Sequence, residues 1–221
     1  MKLVIQLVLW AIIGLLGYLL FNSIYGPIQF NKVKEARYAQ VIESLRDIRA
    51  AQLAHQEITG KFANDFPGLV RFVDTAQFAI TQRRDTSYAD VEKNKAFGLD
   101  EGYFIEETLI DTLGFASVKD SLFKGSDRYK TMSTVPVEGI NAEFEMQSGT
   151  IEKNDLKLAV FEAKVAKNVI LADLDKDLLI QENQVVSVDG VNGSHIKVGS
   201  MNEVNTNGNW PKNYDTPTDN Q

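Results

Sequence analysis

The chain has 221 residues and a mass of 24.7 kDa, room for one apolar segment and one medium-sized domain. An apolar content of 44% with 10% aromatics excludes global disorder, and a net charge of -7 opposes binding to a phosphate backbone. Cysteine is absent, which excludes disulfides, thiolate catalysis, Cys-based zinc sites and iron–sulfur ligation without assigning a compartment.

Residues 3–21, LVIQLVLWAIIGLLGYLLF, contain Gln6 as the one strongly polar side chain. As a helix they would span roughly 28 Å, close to the ~30 Å hydrocarbon core of a bilayer. Tyr25 and Phe30 follow where aromatic rings favour the interface. The apolar run is longer than the core of a secretory signal, and Leu19-Leu20-Phe21-Asn22-Ser23 offers no small-x-small cleavage site. A retained transmembrane anchor is therefore expected over residues 1–25, with the lipid bilayer as partner through residues 3–21. Lys32, Lys34 and Arg37, read literally, favour a cytoplasmic domain. Residues 22–31 carry no charge, however, and an N-terminus of this kind more often delivers its domain outward. The expectation is a single-pass membrane protein with an extracytoplasmic domain over 26–204.

Gly26-Pro27 is expected to break the helix. From about Lys32 to Ile58 helical periodicity returns, with Tyr38, Val41, Leu45 and Ile48 on one face and Glu43, Arg46, Asp47 and Arg49 on a solvated one. The apolar face has two candidate occupants, the chain's own sheet or a partner (another protein or a second copy). Tyr38, Val41, Leu45 and Ile48 are thus the candidate partner-packing residues. Gly60 suits a left-handed C-cap, and a short helix from Phe66 to Asp74 follows Asn64 or Asp65 as N-cap.

Beyond Thr75 the period changes. Gln77–Gln82, Ala142–Met146 and Leu158–Val165 read as strands, His195–Val198 as a last strand and Leu174–Glu182 as a short helix. Ser148-Gly149, Asp189-Gly190 and Asn192-Gly193 are turn signals, the last suited to a hairpin. Segments 84–102 and 117–128 read as loops or short helices, and 205–221 as a polar tail in which Trp210-Pro211 has the means to dock. The fold class expected is α+β: transmembrane helix, long amphipathic helix, then a mostly antiparallel sheet with short helices.

Catalytic patterns are missing. His55 and His195 are the two histidines, and neither a G-x-S-x-G elbow nor a phosphate loop occurs. Asp173, Asp175 and Asp177 alternate as in a calcium loop, yet Leu178 stands where such a loop needs glycine and Gln184 where it needs a bidentate carboxylate. An acidic first turn of a helix accounts for them better. No catalytic residue, metal or cofactor is expected. Asp74-Thr75-Ala76, Asp111-Thr112-Leu113 and Asp120-Ser121-Leu122 fit a short bacterial O-glycosylation acceptor pattern, a hint of extracytoplasmic location.

Residues 36–73, with Ile48-Arg49-Ala50-Ala51-Gln52, Gly60-Lys61-Phe62 and a leucine-bearing segment, resemble the module after the membrane segment in type IV pilins and pseudopilins. The prepilin Gly-Phe cleavage site and the glutamate at mature position five have no counterpart before residues 3–21. The chain as a whole, in GPIQFNKVKEARY (26–38), TQRRDT (81–86), IDTLGF (110–115), VKDSLF (118–123) and GNWPKNY (208–214), also resembles a family of bacterial single-pass envelope proteins without an assigned activity. The anchor, the pilin-like helical module and the missing catalytic patterns together lead to the expectation of a non-enzymatic protein of protein–protein assembly, pilin-like or secretion-associated, and the acidic charge to no nucleic-acid partner. The alternative is a membrane-tethered ligand-binding domain.

Overall fold

A computed structural model describes residues 2–100 and 102–215. It is α+β, as the periodicities predict, and divides into two compact units: Met1–Leu69 with Arg128–Gln221, and Val70–Asp127.

The first unit is organised by one helix, α1 (Lys2–Thr59), of 58 residues and therefore about 87 Å long. Its N-terminal stretch is long and apolar enough to cross a membrane. Leu3, Trp10, Tyr18 and Phe21 are all more than half exposed there. The expected break at Gly26-Pro27 does not occur, because α1 runs through Pro27. Proline costs a helix interior about 3 kcal/mol, here by depriving the Ser23 carbonyl of its donor. The helix on each side is held independently, by apolar sequence before and by burial from Phe30 onward, so continuity outweighs that local loss. Gly60 ends it as expected, at φ +77° with its N–H on the Gln56 carbonyl.

Phe30, Tyr38, Val41, Ile42, Leu45, Ile48, Ala51 and Ala54 recur at spacings of one to eight residues along the buried side of α1. They pack on an antiparallel sheet of β3 (Glu145–Lys153), β4 (Leu156–Ala166) and β5 (His195–Gly199), in the order β3-β4-β5. Phe161, Ala163 and Val165 of β4 and Ile196 and Val198 of β5 form the sheet's share of the core. Each fully buried large side chain contributes roughly 1.5–3 kcal/mol, so this helix–sheet contact dominates the unit. The outer side of β4 carries Glu162, bonded to Lys164 at 3.2 Å and to Lys197 at 2.9 Å.

Ser148-Gly149 is not a turn; both residues lie inside β3, opposite Phe161 and Val160. The β3–β4 hairpin turns instead at Asn154-Asp155, with φ +52° and +61°, the double left-handed pair that a two-residue loop demands. Asn192-Gly193 lies in the loop leading to β5 and joins no hairpin. Residues 205–214 are no free tail: Gly208 bridges Val198, Gly199 donates to the Asn207 carbonyl and Asn209 to the Lys197 carbonyl. Residues 216–221 of that predicted tail lie outside the described residues. Gly199, at φ +78°, is required where it stands, since a Cβ would meet the Phe161 carbonyl oxygen at 2.2 Å.

Two short helices, α5 (Lys167–Ile170) and α6 (Lys176–Asn183), connect β4 to β5. Asp175 caps α6 by accepting from the Asp177 and Leu178 N–H groups, both at 3.0 Å. Asp175 and Asp177 thus make the acidic start of a helix.

The second unit is entered along α2 (Phe66–Thr75), where Asp65 Oδ1 accepts from the Gly68 N–H at 2.6 Å. Its main feature is a two-stranded antiparallel ribbon of β1 (Gln77–Ala89) and β2 (Phe104–Ser117), with a bulge at Ile80/Thr81. Residues 84–89, expected as loop or short helix, are strand. Arg84, Asp85 and Ser87 give little β-propensity, but the ladder with Phe104–Leu109 supplies the backbone partners. A short α3 (Val91–Ala96) sits between the strands and α4 (Val118–Phe123) after them.

Candidate functional site

The most concentrated chemistry in the first unit lies where α1 passes α6 and the loop before β5. Lys167 begins α5 directly after the buried β4 strand, so its side chain starts inside the core. The ammonium is fully buried and uses all three N–H bonds. It donates to the Glu182 carbonyl at 2.9 Å, the Glu182 Oε1 at 2.9 Å and the Val191 carbonyl at 2.7 Å. Glu182, at the end of α6, is also buried. Its Oε1 accepts from the Tyr38 hydroxyl at 3.2 Å and its Oε2 from Lys34 Nζ at 2.9 Å. Lys167 Nζ further sits 5.8 Å from the centre of the Tyr38 ring.

Burial sets the electrostatics here. It pushes the Tyr38 hydroxyl far up, reinforced by the Glu182 charge, so this phenol stays protonated and donates. Burial would likewise raise Glu182, but hydrogen bonds from Lys167 and Lys34 overcome it and hold the carboxyl below its ordinary value. Lys167 is lowered by burial and by Lys34, against the pull of Glu182. The cluster is a carboxylate held between two ammonium groups, and no lone pair is left on Lys167 for nucleophilic work.

Beside it opens a cleft of about 400 Å³, lined by Lys34, Glu35, Tyr38, Glu182, Val191 and Tyr214 among others. Lys34 is the cleft's half-buried cation and pairs with Glu182 at 2.9 Å.

The same helix is clamped at nearly every turn beyond this point. Arg37 grips Asp173 with both terminal nitrogens, at 2.5 and 2.7 Å, and also reaches the Ile170 carbonyl at 2.8 Å. Arg46 bonds the Tyr214 carbonyl, Asp47 pairs with Arg128 at 2.7 Å and Arg49 donates to Asn207 at 3.0 Å. The face predicted to be solvated is therefore engaged at Arg46, Asp47 and Arg49, leaving Glu43 exposed. Gln52, buried, answers both backbone groups of Ala63, at 2.8 and 3.0 Å.

Of the two occupants weighed for the apolar face of α1, the chain's own sheet takes it: Tyr38, Val41, Leu45 and Ile48 are at most 1% exposed and belong to the core of the first unit. Only Tyr38 also joins the ionic cluster. Lys167 and Glu182 carried no signal of their own in the sequence, because a lysine after a strand and a glutamate ending a helix are usually surface residues, and Lys34 entered only as part of the basic group after the apolar run. His55 is bonded to the Lys61 carbonyl, and His195 Nδ1 lies 2.9 Å from Ser194 Oγ. Among the described residues no group of three or more His, Asp or Glu is placed to hold a metal ion. Thr75, Thr112 and Ser121 of the acceptor-like triplets are all exposed.

No protein-family model, curated protein or solved structure matches this chain.

Proposed function

We propose that the protein is a membrane-anchored, non-enzymatic component of the bacterial envelope that works by assembling with other proteins, as a pilin-like or secretion-associated structural subunit. The observation that carries this reading is the continuity of α1: an exposed apolar stretch leads without a loop into the centre of a helix–sheet core. A helix of this design suits a subunit that must hold a fixed attitude to the membrane and to its neighbours. The polar cluster at Lys167 has its donors and acceptors consumed internally, which suits a structural lock better than a reaction centre. In this reading residues 3–21 contact lipid of the inner membrane and the domain lies outside the cytoplasm.

Co-purification of the full chain in mild detergent, with photocrosslinkers at exposed Gln40 and Glu43, tests the reading. A reproducible partner or homo-oligomer is the expected result, and a strictly monomeric particle without crosslinks overturns it. A phosphatase fused after Gln221 should be active; activity of a cytosolic reporter instead would overturn the orientation.

The cleft beside Lys34 favours one second reading, a membrane-tethered ligand-binding domain. Lys34 is already paired with Glu182, and Glu35 and Asp189 join two tyrosines in the lining, which suits a small cation with an apolar part. A melting temperature that small organic ammonium ions do not raise would count against it.

A further inference from the structure

Among the described residues the β1–β2 ribbon of the second unit has no third strand, so both of its outer edges present backbone donors and acceptors without a strand partner. A lone two-stranded ribbon is marginal in water. This one also exposes Ile110, Leu113 and Phe115 by about two thirds (67%, 66% and 66%). Its charges are sorted by strand. β1 carries Arg83 and Arg84 with one acid, Asp85, whereas β2 carries Glu106, Glu107 and Asp111 with no base. The Arg83 side chain reaches its exposed neighbour Asp85, at 3.3 Å, and the Thr108 hydroxyl. Among the described residues the side chains of Arg84, Glu106, Glu107 and Asp111 have no hydrogen-bond or ion-pair partner.

We propose that the ribbon is an interface between copies of this chain, in which the β2 edge of one copy adds antiparallel to the β1 edge of the next. The inference rests on the assembly reading and names its contact. Charge decides the pairing. Two β1 edges together would set arginines against arginines, and two β2 edges would set carboxylates against carboxylates, while β1 with β2 brings opposite charges together. Like edges repel, so a closed two-fold dimer is disfavoured and the contact is head-to-tail.

One register satisfies both faces. In the ribbon itself Arg83 lies opposite Ile110 and Glu106 opposite Ser87, which puts Arg83 and Glu106 on the same face. Setting Arg83 of one copy opposite Glu106 of the next keeps that face continuous. It pairs 81–85 with 104–108 and leaves Arg84 diagonal to Glu107 on the other face. A head-to-tail contact does not close, so successive copies form an open row. The backbone ladder supplies attraction and the charges supply the choice of edge.

The cysteine-free chain makes the test direct. In the full-length protein in bilayers, Thr81→Cys and Thr108→Cys are combined. Within one ribbon Thr81 faces Thr112 and Thr108 faces Asp85. The two thiols of one copy are therefore about 13 Å apart along the ribbon, beyond the ~7 Å reach of a disulfide. Mild oxidation should give a ladder of multimers that reductant collapses, absent from either single variant. Arg83→Glu with Arg84→Glu should reduce the ladder by about tenfold, and adding Glu106→Arg with Glu107→Arg should restore it. Restoration also shows that the charge-reversed ribbon folds. Multimers that form without this ladder would overturn the ribbon contact and leave the assembly reading standing. A single-chain particle with both thiols freely reactive would overturn both. Thiols shielded by a different protein, with no ladder, would overturn the second copy as occupant.

Discussion

Lys167 binds Glu182 twice, at the backbone carbonyl and at the carboxylate, both at 2.9 Å, so one buried ammonium holds the end of α6 and its side chain together. Lys34 extends that hold to α1 from the opposite carboxylate oxygen.

Removing the ammonium alone should be severe. Lys167→Met leaves a buried carboxylate facing one lysine and two carbonyls without a donor, a class of change that costs about 3–5 kcal/mol. Denaturant unfolding of the full chain in detergent should show that loss. Lys167→Met with Glu182→Leu should lose less than the sum of the two single changes, and strict additivity would show the pair to be uncoupled.

Acid should loosen the same junction. Glu182 and Asp173 both sit below their ordinary values of 4.5 and 3.8, the first through Lys167 and Lys34 once burial is overcome, the second through Arg37. Below those ordinary values the unfolded chain binds more protons than the folded one, so stability falls with pH in that window. The contribution is complete above about pH 5 and is lost as pH drops through the depressed folded values. Melting temperatures recorded from pH 6 downward should decline less steeply in Glu182→Gln than in the parent.

Gly199→Ala should destabilise the β4–β5 edge by roughly 2 kcal/mol or more, combining a left-handed backbone with a Cβ driven into the Phe161 carbonyl. Gly139, also at positive φ but with open space around its Cβ position, is the control and should lose less on the same substitution. Equal losses at both sites would assign the effect to φ alone.

Pro27→Ala should strengthen α1 by up to about 3 kcal/mol, since it restores a donor for the Ser23 carbonyl. Amide exchange over residues 22–31 should slow by more than tenfold. Unchanged exchange would mean that the helix there is held wholly by its flanks.

The α+β class and the core face of α1 were legible as periods, 3.6 along Tyr38, Val41, Leu45 and Ile48 and 2 along β4, and the apolar helix as an unbroken apolar run of spanning length. The second half of β1 and all of β2 were not, because residues 84–89 owe their extended form to partners some twenty residues away. The hairpin turn hid for a related reason. Asn154-Asp155 is a weaker left-handed pair than Asn192-Gly193, and only strand register distinguishes them. Lys167 and Glu182 were invisible as a pair, since fifteen residues separate them in sequence and only the folding of α5 against α6 brings them together.

The uninterrupted passage of α1 through Pro27 has a mechanical consequence. A tethered domain swings on its linker and forgets the direction of its anchor; this one has no linker to swing on. Tension applied to the sheet would travel down a stiff rod and, on the way, load the Arg37–Asp173 and Lys34–Glu182 clasps in shear. On the proposed membrane-anchored reading, any tilt of the rod is amplified by leverage at its far end, some 57 Å beyond Phe21 at 1.5 Å per residue. On that reading, small changes in membrane thickness would steer where the head of the molecule points.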